Sequence, residues 1–148
     1  MELFDAIYQR QSIGKVKPDP VPRELIERLL SAAVQAPNHH RVRPWRFIVL
    51  SGAARQRMGD IMAESKRLAA PDTPPAVLDV ERSRPLRSPV VIAVGVDKPT
   101  EPKVLEVENI CAAAAAAQNL LLAATDLGLG AMWRTGPAAL DPRVKEFL

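Results

Sequence analysis

Apolar side chains recur at helical spacing in three stretches of the first half of the chain. In residues 2–11 they stand at i, i+1, i+4 and i+5, which forms one stripe of a helix. Residues 22–36 repeat this stripe and stop before Pro37, where helices tend to end. Residues 52–70 have the pattern of a surface helix. Its inward positions are Met58, Ile61, Met62 and Leu68.

The strongest helix prediction covers residues 104–130. Six successive alanines, Ala112–Ala117, combine high helix propensity with a small volume that lets neighbouring elements approach closely. Gly128 is a natural terminator, because glycine readily takes the left-handed conformation that ends a helix. The apolar run is interrupted by Gln118, Asn119, Thr125 and Asp126. We therefore expect a buried central helix rather than a membrane span.

Short runs rich in apolar, β-branched or aromatic residues predict strands at residues 45–50, 89–96 and 131–135. The second run shows no polar alternation, so we expect that strand to be covered on both faces. Residues 71–89 are rich in proline and mixed in charge, which predicts an irregular excursion with at most a short helix. Residues 141–148 predict the beginning of a last helix.

The order of the predicted elements is α, α, β, α, β, α, β, which is not a regular βαβ alternation. Three apolar strands between helices favour a sheet with helices on both sides. The pattern thus predicts an α+β fold. The chain has 148 residues, and a chain of this length can remove roughly 70% of its unfolded surface from water. We expect a single domain spanning residues 1–148.

The formal net charge of +3 is unevenly distributed. Residues 1–67 carry 12 basic and 7 acidic side chains, so the basic excess lies towards the N-terminus. The basic residues form no run longer than two, and few aromatic residues stand among them, which is not typical of a nucleic-acid-binding protein. An anionic small molecule would need fewer of these basic side chains than a nucleic acid would. We expect a small-molecule partner, and neither a nucleic acid nor a membrane.

Several other classes of site and location are disfavoured. Met1 is not followed by the basic and apolar regions of a secretory signal, and a single Cys fits a reducing compartment, so a cytoplasmic location is expected. Cys111 lies within the alanine-rich helix and is expected to be a small core residue. The adjacent His39 and His40 have no partner at ligand spacing, so no metal site is predicted.

One candidate binding cluster lies at the end of the first predicted helix. It consists of Arg10, Ser12 and Lys15. A guanidinium, a hydroxyl and nearby backbone N–H groups are the donors that a phosphate monoester requires. Cations near a helix C-terminus are also favourable without any ligand. The residues alone leave both interpretations open.

Two further clusters lie in predicted loops. Residues 36–46 place three arginines around the pair Pro44 and Trp45, whose rigid apolar surface could receive a flat, charged ligand; the alternative is a solvated basic loop. The other cluster follows the central helix in residues 128–136. Its candidate side chains are Trp133, Arg134 and Thr135.

Together the clusters form a set of motifs in a fixed order. The set consists of R10-Q-S12, of A36-P followed by R43-P-W-R-F47, and of Q118-N followed by G128-L-G-A-M-W-R-T-G. It resembles the FMN-dependent nitroreductase family, and most of all its branch of small single-domain NAD(P)H nitroreductases. The resemblance runs from the first helix to the end of the chain.

The resemblance implies a central mixed sheet flanked by helices, and a homodimer with two FMN sites at the subunit interface. It also implies that FMN is bound at its phosphate and ribityl chain by Arg10, Gln11 and Ser12, across the dimer by Gln35 and His39, and from the original subunit by Trp133, Arg134 and Thr135. No side chain is assigned a catalytic role, because the flavin carries the chemistry.

The chain also departs from the family pattern. Asn38 stands where Asp is common, His40 where a small residue often stands, and Gln35 where a basic residue can occur. Family members continue beyond Leu148 into a strand and a tail that packs on the partner subunit. On this comparison we expect the chain to be truncated at its C-terminus.

The activity that the resemblance implies is that of a ping-pong oxidoreductase. NAD(P)H would give a hydride to FMN and leave, and a nitroaromatic, quinone or similar acceptor would then be reduced. Two alternatives remain open from the sequence. One is the same fold and flavin with dehalogenation, flavin breakdown or dehydrogenation as the reaction, and the other is a truncated, non-catalytic chain that binds flavin or only dimerises.

Overall fold

The computed structural model describes residues 1–148 and contains seven helices and two strands. In chain order these are α1 (Leu3–Gln9), α2 (Arg23–Ala33), β1 (Trp45–Ser51), α3 (Ala53–Ala69), α4 (Pro75–Ser83), β2 (Val90–Val96), α5 (Glu106–Asp126), α6 (Pro137–Leu140) and α7 (Pro142–Phe147). Two short 3₁₀ turns cover His39–Arg41 and Arg84–Arg87. The helices predicted in residues 2–11, 22–36, 52–70, 104–130 and 141–148 are confirmed, with small differences at their ends.

The chain divides into two compact units. The first comprises Met1–Gly14, Val21–Ile48 and Ala93–Trp133, and the second comprises Lys15–Pro20, Val49–Ile92 and Arg134–Leu148. Each unit contains part of both strands.

The sheet consists of β1 and β2. The Asp97 N–H, just after β2, donates to the carbonyl oxygen of Pro44, just before β1, at 2.7 Å. The start of one strand therefore lies beside the end of the other, and the two strands are antiparallel. The strands predicted at residues 45–50 and 89–96 are confirmed, and the class is α+β.

The third strand, predicted at residues 131–135, is wrong. These residues have irregular backbone, and their one hydrogen bond to the segment after α1 runs from the Ile13 N–H to the Ala131 carbonyl oxygen at 2.9 Å. A strand requires a ladder of such bonds along a neighbouring strand, and the segment after α1 is itself irregular.

The prediction that β2 is covered on both faces is wrong for its second half. Val94 and Val96 are 38% and 40% exposed. They point to the same face of the strand, because side chains alternate along it. No element of this chain covers that face at those positions.

The core of the first unit forms around the alanines of α5. Ala112, Ala113 and Ala116 pack with Ala33, Ala36 and Trp45. Small side chains allow α5 and α2 to lie close enough for the Asn119 side chain to donate to the Ala32 carbonyl oxygen at 3.3 Å. The central helix ends as predicted, with Gly128 at a φ of +70°.

By length and composition alone, α5 could cross a membrane. The core helix of a folded domain passes the same test, and the alanine face of α5 lies in the core described above. The opposite face is open, with Val107 58% and Ile110 51% exposed. The helix is therefore central, as predicted, but buried on one face only.

The second unit is organised around α3, which packs against α4, the 3₁₀ turn Arg84–Arg87 and α7. Residues 71–89 are more regular than predicted, since they form the nine-residue helix α4 followed by this turn. At the start of α7, the Asp141 carboxylate accepts the N–H groups of Arg143 and Val144 and a hydrogen bond from the Ser65 hydroxyl. Proline at the first helical position then suits the start of α7.

Candidate functional site

The first candidate cluster lies where the chain leaves α1. The Arg10 N–H still bonds to the Ala6 carbonyl oxygen at 3.0 Å, but its φ and ψ of −58° and 124° end the helix. The Arg10 side chain is half-buried, whereas Gln11 and Ser12 are exposed. None of the ion pairs in the chain uses Arg10. A guanidinium, an amide and a hydroxyl are thus free together at one helix end.

The backbone after α1 runs beside the segment that follows α5. Besides the Ile13 to Ala131 hydrogen bond, a Cβ placed on Gly14 would lie 3.6 Å from the Met132 Cε. The next residue is Trp133, which is 50% exposed. The structure therefore brings the first cluster close in space to the start of the third.

Arg134 and Thr135 are placed differently from Trp133. Both are exposed, and both belong to the second unit, in an irregular segment that reaches Gly136 with a φ of +119°. Arg134 makes no ion pair in the chain. Its guanidinium is therefore available to an anionic ligand.

The loop between α2 and β1 is held in an uncommon conformation. His40, Arg41 and Arg43 have φ values of 51°, 55° and 50°, in the left-handed region that non-glycine residues seldom occupy. The Asn38 Oδ1 accepts the Arg43 N–H at 2.7 Å and closes the loop. The Asn38 side chain therefore caps this loop.

Pro44 and Trp45 do not form a surface for a ligand, so the structure favours the other interpretation of this loop, a solvated basic segment. Both are buried, and Trp45 packs in the alanine core. The physical reason is that Trp45 is the first residue of β1 and points inward there. The exposed groups of this loop are instead the histidine and arginine side chains before Pro44.

His39 pairs with a carboxylate that the sequence did not indicate. Its Nδ1 lies 2.8 Å from the Oε1 of Glu108, and the Oε2 of Glu108 accepts the Leu105 N–H at 2.8 Å. The His39 imidazole, and then the Leu105 N–H, hold the pKa of the Glu108 carboxyl below its usual range. The ring of His40 stacks on that of His39 with centroids 4.2 Å apart.

A groove of about 390 Å³ lies between this loop and α5. It is lined by Pro37, Asn38, His39, Val107, Glu108, Cys111, Ala112 and Ala115. Gln35, in contrast, does not line it; Gln35 is exposed at the end of α2, where its Nε2 donates to the Ser31 carbonyl oxygen at 3.4 Å. The structure thus places His39, but not Gln35, at an opening that could receive a ligand.

The prediction that Cys111 is a core residue is wrong. Cys111 is exposed and faces the groove. The buried side of α5 is set by Ala112, Ala113 and Ala116, and Cys111 lies outside that stripe. The chain holds no group of three or more His, Cys, Asp or Glu side chains placed to bind a metal ion.

The comparison with known families decides the relationship. The model of the nitroreductase family matches residues 7–148. The chain belongs to the nitroreductase family. The resemblance carried by the three motifs is therefore confirmed, and so is the α+β nitroreductase-like fold.

Individual members show how far the similarity extends. "Putative NAD(P)H nitroreductase YdjA" of Escherichia coli is 29% identical over 147 residues, which are 99% of this chain and 79% of that protein. The solved structure of a nitroreductase-like family protein from Bacillus cereus superposes with a TM-score of 0.84 at 25% identity, covering 99% of this chain and 76% of that one. A Desulfovibrio desulfuricans protein solved in complex with FMN is 32% identical, with a TM-score of 0.67 over 90% of this chain and 67% of that one.

Proposed function

We propose that this nitroreductase-family chain is an FMN-dependent oxidoreductase that uses NAD(P)H to reduce nitroaromatics, quinones or similar acceptors. The observation that carries the proposal is the free Arg10 at the end of α1, beside the segment that leads to Trp133. The names of relatives support it, since one is named as an NAD(P)H nitroreductase and another was solved with FMN. We further propose that it works in the cytoplasm.

The donor set at the end of α1 fits the phosphate and ribityl chain of FMN. Arg10 would give the phosphate a charge-assisted contact, and Gln11 and Ser12 would donate to the phosphate and to ribityl hydroxyls. The half-buried position of Arg10 strengthens such a contact, because it is less screened than one at a fully exposed site.

The residues after α5 would hold the ring system. Trp133 presents an exposed indole, and Arg134 and Thr135 are exposed donors on the same segment. Arg134 is the cation that we propose to lie near the flavin ring, where negative charge develops on reduction. When bound, FMN would supply the hydride and electron transfer that no side chain of this chain provides.

We propose that the chain acts as a homodimer, in which Gln35 and His39 of one subunit reach the FMN of the other. The first unit has an open apolar surface that supports this. On α1, Phe4 and Tyr8 are 67% and 80% exposed, and their rings stack with centroids 6.2 Å apart. The open face of α5 described above adds to it. Exposed apolar surface of this kind is typical of interaction sites.

Substitution of Arg10 by Ala tests the proposed phosphate site. Loss of a charge-assisted contact of roughly 1.5 to 3 kcal/mol should raise the dissociation constant of FMN about 10-fold to 150-fold. The measurement is quenching of FMN fluorescence on titration with protein. Arg57→Ala removes the same charge from an exposed position on α3 and is the control. Equal FMN affinity in both variants would refute the phosphate site.

A further inference from the structure

Glu108 lies on the first turn of α5 and contacts His39. Its carboxylate is fixed at both oxygens, since Oε1 lies 2.8 Å from the His39 Nδ1 and Oε2 accepts the Leu105 N–H at 2.8 Å. The Leu105 N–H is one of the donors at the helix start that have no partner within the helix backbone. Its bond to Glu108 holds the carboxylate in place independently of the contact with His39. An acceptor anchored in this way gives the imidazole a fixed partner.

The fixed partner determines which nitrogen of His39 is available. Because a carboxylate can only accept, Nδ1 must carry the proton of that hydrogen bond. The other nitrogen, Nε2, is then left for a ligand, and the orientation of the ring is set by the Glu108 contact. The His39 side chain is 49% exposed and lines the groove, so a ligand can reach it.

Few other polar groups lie around the pair formed by His39 and Glu108. On the loop, the His40 ring stacks on that of His39, and Asn38 contributes its amide to the groove wall. On α5, Cys111 is the remaining polar group of the wall, since Val107, Ala112 and Ala115 are apolar. Glu108 is therefore the carboxylate in this wall that can orient His39.

We propose that Glu108 is a positioning residue that sets the tautomer and orientation of His39, so that Nε2 faces the flavin bound at the subunit interface. This inference rests on the proposed function for the identity of the ligand. The role of Glu108 towards His39 can be measured without flavin.

The first arm of the test uses the protein alone. Two- and three-bond ¹H–¹⁵N NMR correlations, recorded over a pH series, report which ring nitrogen of a neutral histidine carries the proton. We expect His39 to be protonated at Nδ1 in the wild type. In Glu108→Ala we expect the Nε2-protonated form that histidine prefers without a partner, and in Glu108→Gln we expect return to Nδ1, because the amide oxygen can accept the same bond.

The second arm measures FMN affinity. Glu108→Ala should raise the dissociation constant about tenfold, the size of one lost hydrogen bond, and Glu108→Gln should recover part of this. In a His39→Ala background, Glu108→Ala should have no further effect, because the role of Glu108 acts through His39. Glu106→Ala is the matched control, since it removes an exposed carboxylate from the same helix turn.

The possible results distinguish the positioning role of Glu108 from the proposed binding of FMN. An unchanged His39 tautomer in Glu108→Ala, or an equal loss of affinity with and without His39, would overturn the positioning role. A wild-type chain that does not bind FMN would overturn the proposed function and, with it, flavin as the ligand of His39. In that case the tautomer measurement would still decide whether Glu108 positions His39.

Discussion

Gly59 lies at a close approach between α3 and α4. A Cβ added at this position would lie 2.1 Å from the Arg82 carbonyl oxygen, 3.0 Å from its carbonyl carbon and 3.3 Å from its Cα. Favourable contacts begin at about 3.5 Å, so Gly59→Ala would force the two backbones apart by more than about 1 Å. The obstructing atoms belong to the backbone and cannot rotate away, as the end of a flexible side chain could.

The cost of this displacement can be weighed against a gain in helix propensity. Overpacking of a buried contact costs about 1 to 3 kcal/mol, and the upper value applies to an obstruction by backbone. Replacing glycine by alanine inside a helix gives back about 1 kcal/mol. The net loss of about 2 kcal/mol corresponds to a fall in Tm of about 4 to 8 °C for a chain of this size.

The assay is thermal unfolding followed by circular dichroism, with Gln56→Ala as the control. Gln56 is exposed on the preceding turn of α3, so its replacement should leave Tm close to that of the wild type. A Tm for Gly59→Ala equal to or above that of the wild type would refute the close packing of α3 on α4.

Two further predictions concern acid stability and assembly. The Ser65 hydroxyl, with the N–H groups of Arg143 and Val144, holds the pKa of Asp141 below its usual range. The ionised Asp141 carboxylate therefore stabilises the folded state fully above the ordinary pKa of about 3.9, and this stabilisation is lost as the pH falls through the lowered pKa. Asp141→Asn keeps a capping side chain but cannot titrate, so urea midpoints measured from pH 7 to pH 3 should fall less steeply in the variant, and parallel curves would contradict this. Tyr8→Asp should shift the chain from dimer towards monomer in sedimentation velocity, whereas Gln56→Asp, with the same new charge on α3, should not; a wild-type monomer, or equal behaviour of the two variants, would contradict the proposed interface.

Much of the fold could be predicted from local patterns. The apolar spacing of residues 22–36 and the alanine run of α5 determine helices through neighbouring residues alone, and Gly128 ends α5 for a reason intrinsic to glycine. The strand prediction for residues 131–135 was wrong because a strand depends on a partner strand. No local pattern reports whether such a partner is present.

The candidate site was predicted in part. The free donors at the end of α1 could be read from Arg10 and Ser12, because that site forms within one short segment. Glu108 was missed because its partner His39 lies 69 positions earlier in the chain and meets it only through the packing of α5. The local signal for Glu108 is its position three residues after Leu105, where a glutamate at a helix start can accept the N–H of the capping residue.

The directions in which the Trp45 and Cys111 side chains point depend on packing in a related way. The sequence shows that Trp45 stands beside arginines, but its position at the start of β1 turns the indole into the core. Cys111 stands among buried alanines, but the helical rotation of about 100° per residue carries it to the open side of α5. In both cases the direction of the side chain depends on packing rather than on composition.

The absorption spectrum of the purified protein tests the central claim most directly. The chain is incubated with FMN, freed of unbound flavin by gel filtration, and then treated anaerobically with NADH or NADPH and afterwards with a nitroaromatic or quinone. We predict a visible flavin band that remains with the protein, bleaches with at least one of the nicotinamide cofactors and returns with the acceptor. A protein that stays colourless after incubation with FMN, or a bound flavin that neither nicotinamide bleaches, would contradict the assignment as an FMN-dependent oxidoreductase.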